Sequence, residues 1–202
     1  MVTYYDIGLN LFTSSFPDPE KMISDAEAAG ICCILTGSEA AENEKVNDFV
    51  KTHAVYGTAG IHPHSADRAE EADLRRIEEI VSTNPKVVAV GECGLDYDRM
   101  YSSKENQLYY FKKLIALAEK LKKPLFLHQR EAAEDFIACF DGHEEICRRS
   151  VVHCYTGNRE VAEKLVDMGF HIGITGWICD ERRAGDLREA VKFIPPERIL
   201  LE

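Results

Sequence analysis

A parallel β/α barrel of eight strands is the fold this sequence predicts, and three observations predict it. Short apolar runs rich in Val and Ile recur along the whole chain, mostly without polar alternation, as in strands covered on both faces. Helical stretches with recognisable starts and stops lie between them. No linker, low-complexity tract or short repeat interrupts this order, so residues 1–202 read as one domain. Strict alternation of strand and helix implies a parallel sheet with right-handed crossovers. Eight strands suggest closure into a barrel, and pattern alone leaves an open doubly wound sheet as the alternative.

In chain order the candidate strands are Tyr4–Leu11, Ile31–Thr36, Val55–Ile61, Val87–Gly91, Pro124–His128, Val151–Tyr155, Phe170–Thr175 and Arg198–Leu201. Asp18 before Pro19 supplies an N-cap and a first-turn proline for the first helix, and Gly30 stops it. Ser102 and Glu105 stand at capping-box spacing. Behind them, Leu108, Phe111, Ile115, Ala118 and Leu121 form a stripe at helical period. Glu160–Met168 is a further helix, with Val161, Leu165 and Met168 inward and Gly169 as its stop.

Composition narrows the function classes. No run of eighteen apolar residues is present, so no membrane span is expected. The start of the chain lacks a basic stretch followed by an apolar run, so no secretory signal is expected either. Seven cysteines, odd in number and never spaced Cys-x-x-Cys, suit a reducing cytoplasm; Cys32, Cys33, Cys93 and Cys154 lie in apolar runs as small hydrophobes. A net charge of −11 argues against a protein that coats nucleic acid, because duplex binding needs phosphates neutralised by Lys and Arg. It leaves room for a local site that holds a single phosphate.

Active sites of such barrels gather at the C-terminal ends of the strands. Strand three ends in Gly60-Ile61-His62-Pro63-His64, and strand four in Gly91-Glu92-Cys93-Gly94-Leu95-Asp96. Strand five ends in His128-Gln129-Arg130, and strand six in His153-Cys154-Tyr155-Thr156-Gly157. Glu92, His128 and His153 should therefore meet in one mouth as metal ligands, two imidazoles and a carboxylate with positions left open. A divalent ion there lowers the pKa of water and polarises a phosphoryl or carbonyl oxygen. His62, His64 and Arg130 are read as substrate-orienting, the planar guanidinium being matched to a phosphate. Asp96 and Asp180 stay open between helix caps and site residues. Glu181, Arg182 and Arg183 read as a solvated charge run rather than a phosphate-facing loop.

The segments Gly60-Ile61-His62-Pro63-His64, Gly91-Glu92-Cys93-Gly94-Leu95-Asp96 and His153-Cys154-Tyr155-Thr156-Gly157 resemble the signatures of the TatD family of metal-dependent deoxyribonucleases, and the match runs from Asp6 to Glu202. The resemblance implies a metallo-dependent hydrolase barrel with magnesium-dependent 3′-to-5′ exonuclease activity on single-stranded DNA or RNA, with zinc or manganese as alternative ions. It carries over Glu92, His128 and His153 as metal ligands; Glu92 and Arg130 are read as the catalytic residues. Many members open with Asp-x-His-x-His. Here Asp6-Ile7-Gly8-Leu9-Asn10 puts Gly8 and Asn10 at those positions, which sets the chain with the branch lacking the His-x-His pair. The family continues past the last strand with Thr-Asp-Ala-Pro-Tyr, and typical barrels run to ~250 residues. For residues 1–202 the reading therefore expects no final helix, one divalent ion rather than two, and weak turnover. It also expects apolar surface on strands one, seven and eight, open to contact with another chain.

Two other readings compete. A D-aminoacyl-tRNA deacylase would use a related site on an ester carbonyl, and assays of both substrates separate the two. A non-catalytic binding barrel would hold metal or nucleic acid and hydrolyse no ester.

Overall fold

Each apolar run named above contains a strand, and the strands pair in chain order. The computed structural model describes residues 2–182 and 184–202. Its strands are β1 (Tyr4–Leu9), β2 (Ile31–Leu35), β3 (Tyr56–Ala59), β4 (Val87–Asp96), β5 (Leu125–Arg130), β6 (Val151–Val152), β7 (His171–Ile174) and β8 (Ile199–Leu201). They form one eight-stranded sheet in the order β1 to β8, with every pairing parallel. Among the described residues no ladder joins β8 to β1, but the two edges lie in contact, so the barrel is nearly closed.

The crossovers are α1 (Pro19–Ala28), α2 (Ala40–Thr52), α3 (Glu71–Thr83), α4 (Lys104–Leu121), the short α5 (Ala133–Ala138) and α6 (Glu144–Cys147), α7 (Arg159–Asp167) and α8 (Gly185–Val191). Asp18 caps α1 as expected, its Oδ1 accepting the Lys21 N–H at 3.0 Å, and Gly30 ends it at φ 77°. The α4 cap is Ser103, one residue later than the capping-box spacing suggests. Ser102 is occupied elsewhere, its Oγ accepting the Asp67 N–H at 3.1 Å. The α4 stripe packs as its period implies: Phe111, Ile115 and Ala118 are buried, Leu108 and Leu121 partly so.

Two apolar layers result. The larger lies between sheet and helices; the smaller, Ile7, Ala89, Phe126 and Val151 with Ile34 and Leu200, draws on six strands and fills the barrel interior. Burying these side chains is the main favourable term, at about 1.5–3 kcal/mol for each large one. The expected uncovered surface is found on β1 and β8, where Tyr4, Tyr5 and Leu201 are exposed. It is not found on β7, because Ile172 and Ile174 are buried. Among the described residues no helix is long and apolar enough to cross a membrane, and the seven cysteines are free thiols.

Three strand boundaries differ from expectation in ways that shape the mouth. β4 runs past Gly91 to Asp96: Gly91 and Gly94 adopt φ of 141° and 144°, open to glycine, and after a register shift between Val90 and Cys93 the pairing with β5 resumes and continues to Asp96. A Cβ at Gly94 would run into the His128 carbonyl, so the two strands approach more closely there than side chains allow. β5 extends to Arg130 through the same pairing. β6 is only two residues long, since Cys154 at φ 44° turns the chain directly after His153.

Candidate metal centre at the barrel mouth

Glu92 on β4, His128 on β5 and His153 just after β6 leave consecutive strands at the same end. His62 joins them as the cap of a 3-10 turn, Pro63–Arg68, that follows β3. Three imidazoles face one carboxylate oxygen. Glu92 Oε1 lies 2.7 Å from His153 Nε2 and 3.2 Å from both His62 Nε2 and His128 Nδ1.

A second carboxylate stands beside the first. Asp96, which is 1% exposed, places Oδ2 at 2.7 Å from His64 Nε2 and 3.1 Å from His128 Nε2. Its Oδ1 accepts the N–H groups of Asp98 and Arg99, so it works as a turn anchor and a site residue at once. Asp180, the other open case, caps the end of a 3-10 turn, Gly176–Cys179, rather than starting a helix. The third carboxylate is Glu202, directly after β8, with Oε2 3.0 Å from His153 Nδ1.

The electrostatics follow from this packing. Burial alone would raise the Glu92 carboxyl, but His153, His62 and His128 outweigh it and hold Glu92 well below the usual carboxylate range. Burial alone would lower the His153 imidazole, but Glu92 and Glu202 push it up to about 10. His128 is raised against burial by Asp96 and Glu92. His64 is lowered, since burial there outweighs its pairing with Asp96.

The residues fit a divalent cation. Glu92, His128 and His153 each offer one donor atom, and these atoms all lie within 4.8 Å of one another. One carboxylate and two imidazoles make a donor set that such ions accept, with positions left for water or substrate. His62, His64 and His128 form a second group of the same kind. It lacks a carboxylate of its own, and its nitrogens are engaged too: His62 Nδ1 accepts the His64 N–H at 3.1 Å, and His64 Nε2 pairs with Asp96.

Arg130 lies two residues beyond His128, its Nη2 paired with Asp98 Oδ2 at 2.9 Å. It lines a cleft of about 400 Å³ together with Tyr97, Lys104, Thr156, Gly157 and Asn158. Arg182 is paired with Asp180 and 80% exposed at its side chain, in keeping with a solvated charge run; Arg183 lies outside the described residues. Sequence reasoning passed over Glu202 altogether. The rule that found Glu92, His128 and His153, a polar residue at a strand end, applies to it equally.

Comparison with known proteins agrees with this architecture. The family model described as TatD related DNase matches residues 5–202. The chain is 45% identical to the 3′-5′ ssDNA/RNA exonuclease TatD of Erwinia amylovora, covering 98% of this chain and 78% of that protein. Among solved structures it resembles YJJV, a TatD homologue from Escherichia coli, at 26% identity and a TM-score of 0.87, covering 98% of this chain and 78% of that one. An uncharacterised amidohydrolase from Saccharomyces cerevisiae matches at 27% identity and a TM-score of 0.85, over 100% and 75% of the two chains. On the match of the family model to nearly its whole length, the chain belongs to the TatD related DNase family.

Proposed function

We propose that the protein is a metal-dependent phosphodiester hydrolase that removes nucleotides from the 3′ ends of single-stranded DNA or RNA. The observation that carries the reading is the convergence of His62, His128 and His153 on Glu92 Oε1, beside a cleft edged by Arg130. Glu92, His128 and His153 hold the divalent ion in this reading. Such an ion lowers the pKa of water and offsets charge on a phosphoryl oxygen. Arg130 grips a phosphate through charge-assisted hydrogen bonds, while His62 and His64 orient the scissile group. Glu92, its charge kept by the imidazoles around it, and Arg130 form the catalytic pair.

Magnesium is the proposed ion, held through Glu92 and keeping several waters. Two imidazoles suit zinc better, and manganese shares magnesium's preference for oxygen ligands, so the assay compares the three. With a net charge of −11 the protein should favour single strands and ends, which need only local contacts, over duplex tracts. The free thiols support a cytoplasmic location.

The test is digestion of end-labelled single-stranded DNA and RNA oligonucleotides with each ion and with chelator, run beside an aminoacyl-tRNA ester. Ion-dependent shortening from the 3′ end, abolished in Glu92→Gln, is expected. Hydrolysis of the ester alone would move the assignment to a deacylase. Ion binding without hydrolysis of either substrate would leave a binding barrel.

A further inference from the structure

Two buried carboxylates of the mouth, Asp96 and Glu202, have no part in the proposed chemistry, and Glu202 is the one that meets an ion-ligand candidate from behind. Glu202 follows β8, and its side chain is 3% exposed. Both of its oxygens are engaged: Oε2 lies 3.0 Å from His153 Nδ1, and Oε1 accepts the backbone N–H of Cys154 at 2.5 Å. A buried carboxylate persists only where such partners satisfy it. The same two bonds leave neither oxygen turned toward Glu92.

The surroundings are cut to admit this group. A Cβ at Gly8 would stand 2.5 Å from Glu202 Oε2, and a Cβ at Gly173 would run into Oε1. Neither glycine holds the positive φ that demands glycine; the nearest obstacle to a side chain at both is the Glu202 carboxylate, joined at Gly8 by the Phe126 ring at 3.0 Å and at Gly173 by the His153 Cα at 2.9 Å. His153 is bounded on its face as well. The Phe126 ring lies over it with centroids 4.3 Å apart and planes 30° from parallel, which fixes the plane of the imidazole. It does not choose which ring edge points to Glu92, since an aromatic face is indifferent to a 180° flip. The acceptor behind Nδ1 makes that choice.

We infer that Glu202 is a positioning residue, which holds His153 by Nδ1 so that Nε2 faces Glu92 and the ion site, and that Gly8 and Gly173 form the notch that admits it. The inference rests on the proposed role of Glu92, His128 and His153 as ion ligands. Carboxylates that accept the second N–H of a ligating imidazole fix its orientation and raise its basicity, and their loss typically weakens metal binding by ~10–100-fold.

The full chain tests it with two measurements. Calorimetric titration with Mn²⁺ should show affinity ~10–100-fold lower in Glu202→Ala, with a smaller loss in the isosteric Glu202→Gln. Gly8→Ala should weaken binding while Glu202 is present, by displacing its carboxylate, and add little in a Glu202→Ala background. Proton NMR supplies a readout independent of the ion: a His153 Nδ1–H signal protected from solvent exchange, present in the natural chain and lost in Glu202→Ala and Gly8→Ala. A lower melting temperature in Glu202→Ala, with Mn²⁺ affinity and the ring-proton signal both unchanged, overturns the inference and leaves Glu202 as a tie between strands. Equal weakening by Gly8→Ala in both backgrounds overturns the notch. If the natural chain binds no Mn²⁺, or Glu92→Gln binds it equally well, the ion-site reading fails by itself. The ring-proton signal then still decides whether Glu202 orients His153.

Discussion

Replacing Arg130 with Ala tests the substrate side of the site, and the structure sets the size of the effect. Its guanidinium, 38% exposed at the edge of the cleft, is paired with Asp98 Oδ2 at 2.9 Å. A charge-assisted hydrogen bond to a phosphate contributes about 1.5–3 kcal/mol. Binding substrate must loosen or share the Asp98 pair, which at this exposure is worth roughly 0.2–1 kcal/mol. The net contribution is therefore about 0.5–3 kcal/mol, a loss of roughly 2–100-fold in affinity for a single-stranded oligonucleotide. Divalent-ion affinity should not change, because Arg130 is no part of the ion site. The melting temperature should move little, because the truncated side chain is half exposed and the Tyr97 N–H still bonds the Arg130 carbonyl.

The pair also predicts an effect of opposite sign. Asp98→Asn frees the guanidinium and should tighten substrate by a few fold, up to the ~1 kcal/mol that the pair supplies. Arg130→Lys keeps the charge and loses the planar fork, so it should fall between Ala and the natural residue. Salt makes the test sharper: losing one phosphate contact to a single strand lowers the slope of log K against log salt by ~0.7. KM from end-labelled digestion, with fluorescence anisotropy at several salt concentrations, measures all of this. Unchanged KM and unchanged salt slope in Arg130→Ala would refute the assignment, and so would weaker binding in Asp98→Asn.

Three further outcomes are expected. Glu92→Gln removes the charge facing His62, His128 and His153 and should weaken calorimetric divalent-ion binding by more than ~10-fold, with hydrolysis falling alongside; equal affinity would remove Glu92 from the ion site. Gly94→Ala puts a Cβ against the His128 carbonyl at φ 144° and should destabilise the fold in urea by at least the ~1–3 kcal/mol of such backbone strain; a midpoint like that of the natural chain would show that β4 can yield. Asp67 accepts from Asn106 and twice from Ser103, and these bonds hold its carboxyl below the ordinary 3.8. A depressed folded-state pKa contributes stability that is full above 3.8 and lost as pH falls through the folded value, so Asp67→Asn should destabilise near neutral pH and matter little in strong acid; an equal deficit at both would refute this.

Much of the architecture was legible because it depends on local signals. Apolar runs, the Asp18-Pro19 start and the glycine stops at 30 and 169 act within a few residues, and the chain folds as they read. The placement of Glu92, His128 and His153 followed from one further rule, that strand ends share a mouth. What stayed hidden needs contacts between distant segments. Ser103 takes the α4 cap because Ser102 Oγ is held by the Asp67 N–H, thirty-five residues earlier. β4 continues to Asp96 because two glycines let it lie against β5, which no pattern within β4 displays. Gly8 is the clearest case. Read along the chain it is a position where a ligand is lacking, but in space it is where a carboxylate from the last strand passes behind His153.

Charge shows why the site has to be understood locally. The sequence carries a net −11, and even the cleft beside the mouth sets Lys104 and Arg130 against Glu131, Glu134 and Asp135. A surface of this sign repels a polyanion over the roughly 8 Å Debye length of physiological salt, and one guanidinium already paired with Asp98 does not reverse it. Within the mouth, Glu92, Asp96 and Glu202 face imidazoles and backbone N–H groups, and the carboxylates raise His128 and His153 against burial. To hold a divalent ion, His128 and His153 would have to give up the protons on their donor nitrogens, and the ion would then supply two positive charges at one point. Under the proposed reading, attraction for a terminal phosphate is therefore supplied with the ion, at the place where hydrolysis occurs, and the rest of the surface keeps long nucleic acid from binding unproductively.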